Sequence, residues 1–298
     1  MSVLPAFAIV ERVVGERAEP RLEQIACPLC RSIKHEPLLR ACDPNGGTEE
    51  FQVVRCTGCD LRFTNPRPTV DAIGRHYDHD YAPHARPVRL NRPLRGWYPH
   101  DWLAKPAGAA RLLDVGCGAG QFLTTMRDRD WTATGIDVSN AMADGGQRGF
   151  RVHCGTLPHP ALAERSFELI TMWHTLEHVH DPVGFLREAG RLLADGGSIV
   201  IAVPNAAGWQ ARHFGVNWFG LELPRHLFHF TLETLAACVE AAGLRVTGLR
   251  FARHADWLRS SAARAGGGVL RSKLLSRAIT WLRSRGPGGD AILLRIGA

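Results

Sequence analysis

No stretch of these 298 residues approaches the roughly 18 uninterrupted apolar positions that a membrane span needs. The apolar run at the N-terminus, Val3 to Val10, is stopped by Glu11 and Arg12. No basic region precedes it and no small-residue cleavage site follows. It reads as a strand or tail, not as a signal peptide, and a cytoplasmic protein is expected. Neither disorder nor a collagen-like fibre fits a chain that is 45% hydrophobic and 22% charged. Acids are scarce in one place: residues 253–285 hold eight Arg and Lys side chains and a single acid, Asp256. Elsewhere the two signs balance, so the net charge of +7 belongs to that segment. A nucleic-acid groove spread over the whole surface is therefore disfavoured.

The length accommodates one α/β domain of about 200 residues with something small beside it. Eight cysteines fall unevenly, and four form the pairs Cys27-Pro-Leu-Cys30 and Cys56-Thr-Gly-Cys59. Between the pairs lies the turn-forming run Asp43-Pro44-Asn45-Gly46-Gly47, which predicts a β-hairpin. Such a hairpin brings the two CxxC turns together, and four thiolates at tetrahedral corners suit a closed, structural Zn2+. Redox chemistry of a CxxC pair is the alternative, and Cys42 is expected to be a lone buried thiol. Residues 1–63 are thus read as a zinc-binding β module. Residues 64–110, rich in proline and aromatics, are read as a connector or lid with one short helix near Val70 to His76.

From residue 111 the pattern is regular. Seven short apolar runs read as strands: 111–115, 132–136, 151–154, 167–172, 198–203, 244–251 and 291–296. Helical patterns fall between several of them, at 120–128, after Asp137 through Gln147, at 182–193 and at 231–242. The alternation implies an α/β fold, a doubly wound and mainly parallel seven-stranded sheet with both faces covered.

The first of these strands runs into Leu112-Leu-Asp114-Val-Gly116-Cys-Gly118-Ala-Gly120-Gln121. Glycines at this spacing let the backbone approach a ligand where a Cβ would clash. A dinucleotide fingerprint would have its third glycine at the position of Gln121, and no Gly-Lys-Ser/Thr follows, so nicotinamide, flavin and nucleotide-triphosphate readings are disfavoured. The loop, with Gly135-Ile-Asp137-Val138-Ser139, resembles the first two motifs of the class I S-adenosylmethionine-dependent methyltransferases, over residues 111 to 251. The resemblance implies a Rossmann-like fold. It assigns the glycine loop (Gly116, Gly118, Gly120) to the methionine part of the cofactor, with Asp114 supporting it. Asp137 would hold both ribose hydroxyls, with Val138 beside it. The usual acid after the third strand is absent; Thr156 and Leu157 stand there and are assigned to the adenine.

Leu176-Glu-His-Val-His-Asp-Pro182 after the fourth strand is similar to a segment of the small-molecule branch of that family. The four-cysteine module, Asn65-Pro-Arg-Pro68, Tyr77-Asp-His-Asp-Tyr81 and Pro224-Arg-His-Leu227 look like a zinc-ribbon-bearing subgroup that acts on sugars and other small metabolites. The expected reaction is methyl transfer from S-adenosylmethionine to an oxygen or carbon of a small acceptor. RNA methylation and a non-catalytic cofactor-binding module remain as alternatives. Loops at strand C-termini line the site in doubly wound sheets, which makes His226 the first choice for the general base, with Glu222 orienting it, and His178 the second.

About 35 residues separate the last two strands, where a hairpin would be usual. Within them Leu270, Leu274, Ala278 and Leu282 recur at helical spacing among the basic residues of segment 253–287. The segment reads either as an extra helix that covers the core with a solvated basic side, or as a helix lying on a membrane surface.

Overall fold

The computed structural model describes residues 21–44, 47–77, 98–108, 110–139, 149–268, 270 and 272–298. The Val3–Val10 run, Asn45 and Gly46 of the predicted turn, residues 78–97 and 109 of the 64–110 connector with Tyr81, most of the expected helix between Asp137 and Gln147, and Arg271 lie outside these residues. The strands are β1 (Leu22–Glu23), β2 (His35–Cys42), β3 (Glu50–Cys56), β4 (Arg62–Thr64), β5 (Arg67–Pro68), β6 (Arg111–Val115), β7 (Thr132–Asp137), β8 (Arg151–Cys154), β9 (Phe167–Trp173), β10 (Leu193–Pro204), β11 (Arg245–Ala252) and β12 (Ala291–Gly297). The described α-helices are α1 (Val70–Ile73), α2 (Gln121–Arg127), α3 (Pro182–Leu192), α4 (Trp209–Phe214), α5 (Leu232–Ala241), α6 (Ala255–Arg264) and α7 (Lys273–Arg283).

Seven strands form one sheet in the order β11-β12-β10-β9-β6-β7-β8. All neighbours run parallel except β12, which is antiparallel to both β10 and β11. The seven expected strands are all present. The central ones are apolar on both faces, with Leu112, Leu113, Ile170, Met172, Ile199 and Val200 buried, because helices and loops cover the sheet on each side. The strand order reverses beside β6, so the segments that leave β6 and β9 separate there and open a crevice at their C-terminal ends. The glycine loop and the 174–178 turn both start at that point.

A three-stranded antiparallel sheet, β2-β3-β4, carries the cysteines. It is welded to the large sheet's loops. The Thr64 N–H donates to the Leu227 carbonyl and the His229 N–H to the Arg62 carbonyl, both at 2.9 Å. Phe63 and Phe228 form a bridge, and Val54, Cys56, Leu61 and Phe63 share one apolar cluster with Leu113, Met172, Leu227 and Phe230. Cys42 is exposed, not buried as expected.

The insertion before β12 holds two helices where one was expected. Helix α6 escaped the sequence reading because its inward face is partly small and polar, with Ser261 and Ala262 buried beside Leu258. Helix α7 is turned opposite to a core-covering helix. Its buried side chains are Ser276 and Thr280, while Leu274, Trp281 and Leu282 are 79%, 56% and 58% exposed. The Leu274–Ala278–Leu282 stripe faces out because the inner surface is already occupied by α6. Asp290 anchors the pair. Its Oδ2 accepts the His254 N–H before α6, and its Oδ1 accepts the Ser284 hydroxyl after α7.

Candidate active site and metal centre

The loop after β6 owes its path to glycine. Gly116, Gly118 and Gly120 have φ of 73°, 49° and 68°, and a Cβ on Gly116 would fall 2.4 Å from Thr175 Oγ1. Thr175 in turn donates to the Val115 carbonyl at 3.0 Å, which draws the turn after β9 against this loop. Asp137, at the end of β7, closes the other side. Its Oδ2 accepts the Gly118 N–H at 2.8 Å, and its Oδ1 accepts the Ser139 N–H and hydroxyl at 2.8 and 2.6 Å. Asp114 is buried and accepts the Thr171 hydroxyl at 2.7 Å; burial pushes its carboxyl up to about 8. Next to Asp137, Val138 stands 71% exposed, an apolar surface beside a carboxylate. Thr156 is exposed. Leu157 is buried and packs into the main core, so the exposed apolar surface here is that of Val138.

The residues expected to face an acceptor also come together. His178 ends the short turn Leu176–His178, and His226 lies on the segment that pairs with β4. The two segments are tied by the Glu177 carbonyl, which accepts the N–H groups of Leu227 and Phe228 at 2.8 and 3.2 Å. The His178 and His226 rings meet edge to face with centroids 4.6 Å apart. Each ring has its Nδ1 against a backbone carbonyl, His178 on Arg225 at 3.0 Å and His226 on Gly220 at 2.8 Å. A carbonyl only accepts, so Nδ1 carries the proton in both rings and Nε2 keeps its lone pair. Burial lowers the pKa of His178 to about 4 and that of His226 to about 3, so both imidazoles are neutral at physiological pH. The Gly220 carbonyl thus accepts from Nδ1 of His226, and Glu222, the expected orienting group, stands on its Nε2 side. Glu222 is held by the Arg225 Nε–H at 3.2 Å, and its Oε2 stands 3.6 Å from His226 Nε2.

Sequence reasoning singled out neither Glu177 nor Tyr77 as a site residue. The Glu177 side chain is fully buried, and neither oxygen accepts a hydrogen bond from a described residue. The Tyr77 hydroxyl lies 2.8 Å from His178 Nδ1. Glu177 sat within the quoted Leu-Glu-His run, but nothing in one sequence distinguishes a buried carboxylate from a helix-start acid.

The cysteine turns are near copies. In each, the first cysteine's carbonyl accepts an N–H from four residues on, Arg31 or Asp60, and those residues have φ of 63° and 62°. Cys27 Sγ lies 3.5 Å from Cys59 Sγ, and Cys30 Sγ 3.4 Å from Cys56 Sγ. All four sulfurs fall within 4.8 Å of one another. A tetrahedral site with Zn–S bonds of about 2.3 Å sets its sulfurs about 3.8 Å apart, so the donor set and spacing fit zinc.

A family model described as a methyltransferase domain matches residues 88–249. The ubiquinone biosynthesis O-methyltransferase of Bordetella avium is 30% identical over 182 residues, which cover 55% of this chain and 74% of that protein. The protein of the same name from Pseudomonas fluorescens is 32% identical over 177 residues, covering 54% and 75%. Among solved structures, a SAM-dependent methyltransferase from Archaeoglobus fulgidus superposes with a TM-score of 0.49 at 19% identity, covering 67% of this chain and 89% of that one.

Proposed function

The chain belongs to the S-adenosylmethionine-dependent methyltransferases, and from that premise we propose that it methylates a hydroxyl oxygen of a small-molecule acceptor. The observation that carries this reading is the group made by Glu177, His178 and His226. It consists of two neutral rings with unprotonated Nε2 atoms and a carboxylate whose oxygens accept no hydrogen bond from described residues; Glu177 and His226 are buried and His178 half-buried, next to the turn that Thr175 ties to the end of β6. A cluster made only of acceptors receives a donor, and a hydroxyl is such a donor. The names of the relatives support oxygen over carbon.

When bound, S-adenosylmethionine supplies a methyl group already activated on a sulfonium. The chain's own work is to hold and align. Asp137 would take the ribose hydroxyls, Val138 would lie under the base with Thr156 at its edge, and Gly116 to Gly120 would pass close to the methionine part. The Glu177–His178–His226 group would accept the acceptor's hydroxyl hydrogen and turn its oxygen lone pair toward the methyl. His226→Ala should lower kcat by roughly 10²–10⁴-fold on a working acceptor, with cofactor affinity near wild type. Labelled methyl transfer across a panel of hydroxylated metabolites tests the reading. Cofactor binding without turnover on any of them would overturn it in favour of a binding module. Transfer to RNA, with affinity falling steeply in salt, would favour the nucleic-acid alternative.

Two further parts belong to the proposal. Zinc would sit on Cys27, Cys30, Cys56 and Cys59 and hold the module's hairpin. Helix α7 would rest on an anionic membrane surface, since its exposed Leu274, Trp281 and Leu282 are flanked by Lys273, Arg277, Arg283 and Arg285. No described helix is long and apolar enough to cross a membrane.

A further inference from the structure

Glu177 poses an energetic problem. A fully buried carboxylate that accepts no hydrogen bond forfeits its hydration without replacement, which costs several kcal/mol. Among the described residues, His174 Nδ1 approaches Oε1 to 3.4 Å but does not donate a hydrogen bond to it. Buried charges in proteins are paired or coordinate metals. One ligand atom each from Glu177, His178 and His226 lies within 4.8 Å of the other two.

The two histidines are prepared for coordination in a particular way. A ligating imidazole commonly donates its other N–H to a backbone carbonyl, which fixes tautomer and ring orientation. His178 does this to Arg225 and His226 to Gly220. Both carbonyls belong to the 220–226 loop, whose course is set by Arg225 and Glu222. Two imidazoles and one carboxylate form a donor set for first-row divalent cations, which take more than three ligands.

We infer that Glu177, His178 and His226 bind a divalent first-row cation, separate from the four-thiolate site, and that this cation takes the acceptor's oxygen as a further ligand. The inference deepens the proposed oxygen methylation by putting a metal–oxygen contact in place of the direct hydrogen bonds to the acceptor, and it rests on that reading for the identity of the fourth ligand. Metal–donor bonds of about 2.0–2.2 Å set adjacent donors roughly 3 Å apart, so the three side chains close slightly on the ion. Coordination lowers the hydroxyl's pKa. Its O–H proton would pass to the Glu222 carboxylate, whose Oε2 is 3.6 Å from His226 Nε2, as the oxygen–methyl bond forms and the methyl–sulfonium bond breaks to leave the neutral thioether. His226 then acts as a ligand, and the loss of rate in His226→Ala is the loss of the ion.

The test is a titration with Mn2+ followed by electron paramagnetic resonance on full-length protein. Mild chelation first brings the protein to one zinc per chain by elemental analysis, so the thiol site is accounted for. Wild type should bind one Mn2+ per chain. Glu177→Gln, which keeps shape and removes charge, and His178→Gln should each weaken binding by more than the roughly 10–100-fold typical of a lost outer partner. Cofactor affinity by calorimetry checks that each variant is folded. Unchanged Mn2+ binding in both folded variants, or no stoichiometric binding in wild type, overturns the inference. Methyl transfer that proceeds at full rate in the chelated protein also overturns it while leaving oxygen methylation standing. Mn2+ binding by wild type, lost in the variants, with no methyl transfer to any hydroxyl would support the site and sink the proposed reaction instead.

Discussion

Arg225 and Asp43, 182 positions apart in the chain, form a two-pronged ion pair: Nη1 to Oδ2 is 2.9 Å and Nη2 to Oδ1 is 3.1 Å. The guanidinium is 1% exposed. The pair joins the turn of the cysteine hairpin to the loop that carries His226, and the Arg225 carbonyl is the same one that orients His178.

Removing one partner strands a buried charge. Asp43→Ala should destabilise the protein by about 3 kcal/mol, the lower end for a broken buried pair, because Glu222 and the His76 carbonyl still hold Arg225. The Asp43→Ala/Arg225→Met double variant should recover much of that loss. Urea unfolding measures both, and a double variant as weak as the sum of its singles would count against the pair. In Asp43→Ala, kcat should fall more than cofactor affinity, since His178 loses its fixed carbonyl.

Purified protein should contain one zinc per chain at the thiol site. Because Cys27 and Cys56 lie inside the main apolar cluster, Cys56→Ser should lower the midpoint of a single unfolding transition for the whole chain. Two resolved transitions, with the large sheet unaffected, would show that the module is an independent unit.

Asp137→Ala should weaken S-adenosylmethionine binding by about 2–4 kcal/mol, the value of losing a charged acceptor for two hydroxyls. Gly116→Ala should be at least as severe, since the added Cβ meets both a φ of 73° and Thr175. Calorimetry reads both, and wild-type affinity in Asp137→Ala would sink the ribose assignment.

Asp290 gives a pH dependence with a definite sign. Burial raises its carboxyl to about 7, against an ordinary value of 3.8. Between those values the folded state keeps a proton that the unfolded state has lost. Asp290 therefore contributes stability below about pH 4 that fades as pH rises to about 7, each pKa unit being worth ~1.4 kcal/mol. Asp290→Asn mimics the protonated acid: its carbonyl can accept the His254 N–H and its amide can donate to Ser284. Relative to wild type, the variant should gain stability by a few kcal/mol as pH rises from 4 to 7. Parallel stability curves for the two proteins would refute the assignment.

Wild-type protein should sediment with vesicles of anionic lipid and much less with neutral ones. Trp281→Ser/Leu282→Ser should lose that binding with folding intact, since both side chains face solvent. Equal binding by the variant would leave only a diffuse attraction to the basic segment.

The strands and the glycine loop were legible in the sequence because their signals are local: runs of four to eight residues, and glycines where φ must be positive. The thiol site was legible because each half is a four-residue turn. Glu177, Arg225 and Tyr77 were not, since what matters about them is partners more than 40 positions away. Helix α7 stayed open between two readings for a related reason. An apolar stripe says that a face avoids water, but whether the protein's own core receives that face depends on α6, which already fills the place.

The pairing of β4 with residues 227–229 sets a timetable for synthesis. The four cysteines are all made by residue 59, but the strand-like partner of Phe63 appears about 165 residues later. At roughly 5–20 residues per second, that interval lasts on the order of ten to thirty seconds. Throughout it, Val54, Leu61 and Phe63 lack the apolar neighbours they have in the finished fold, and four thiolates closed on a metal would hold the two turns together in the meantime. Ribosome-bound chains halted near residue 120 should accordingly be cut more slowly at the two cysteine turns when zinc is supplied than when it is withheld, while the module gains full protection only once residues 227–230 are made.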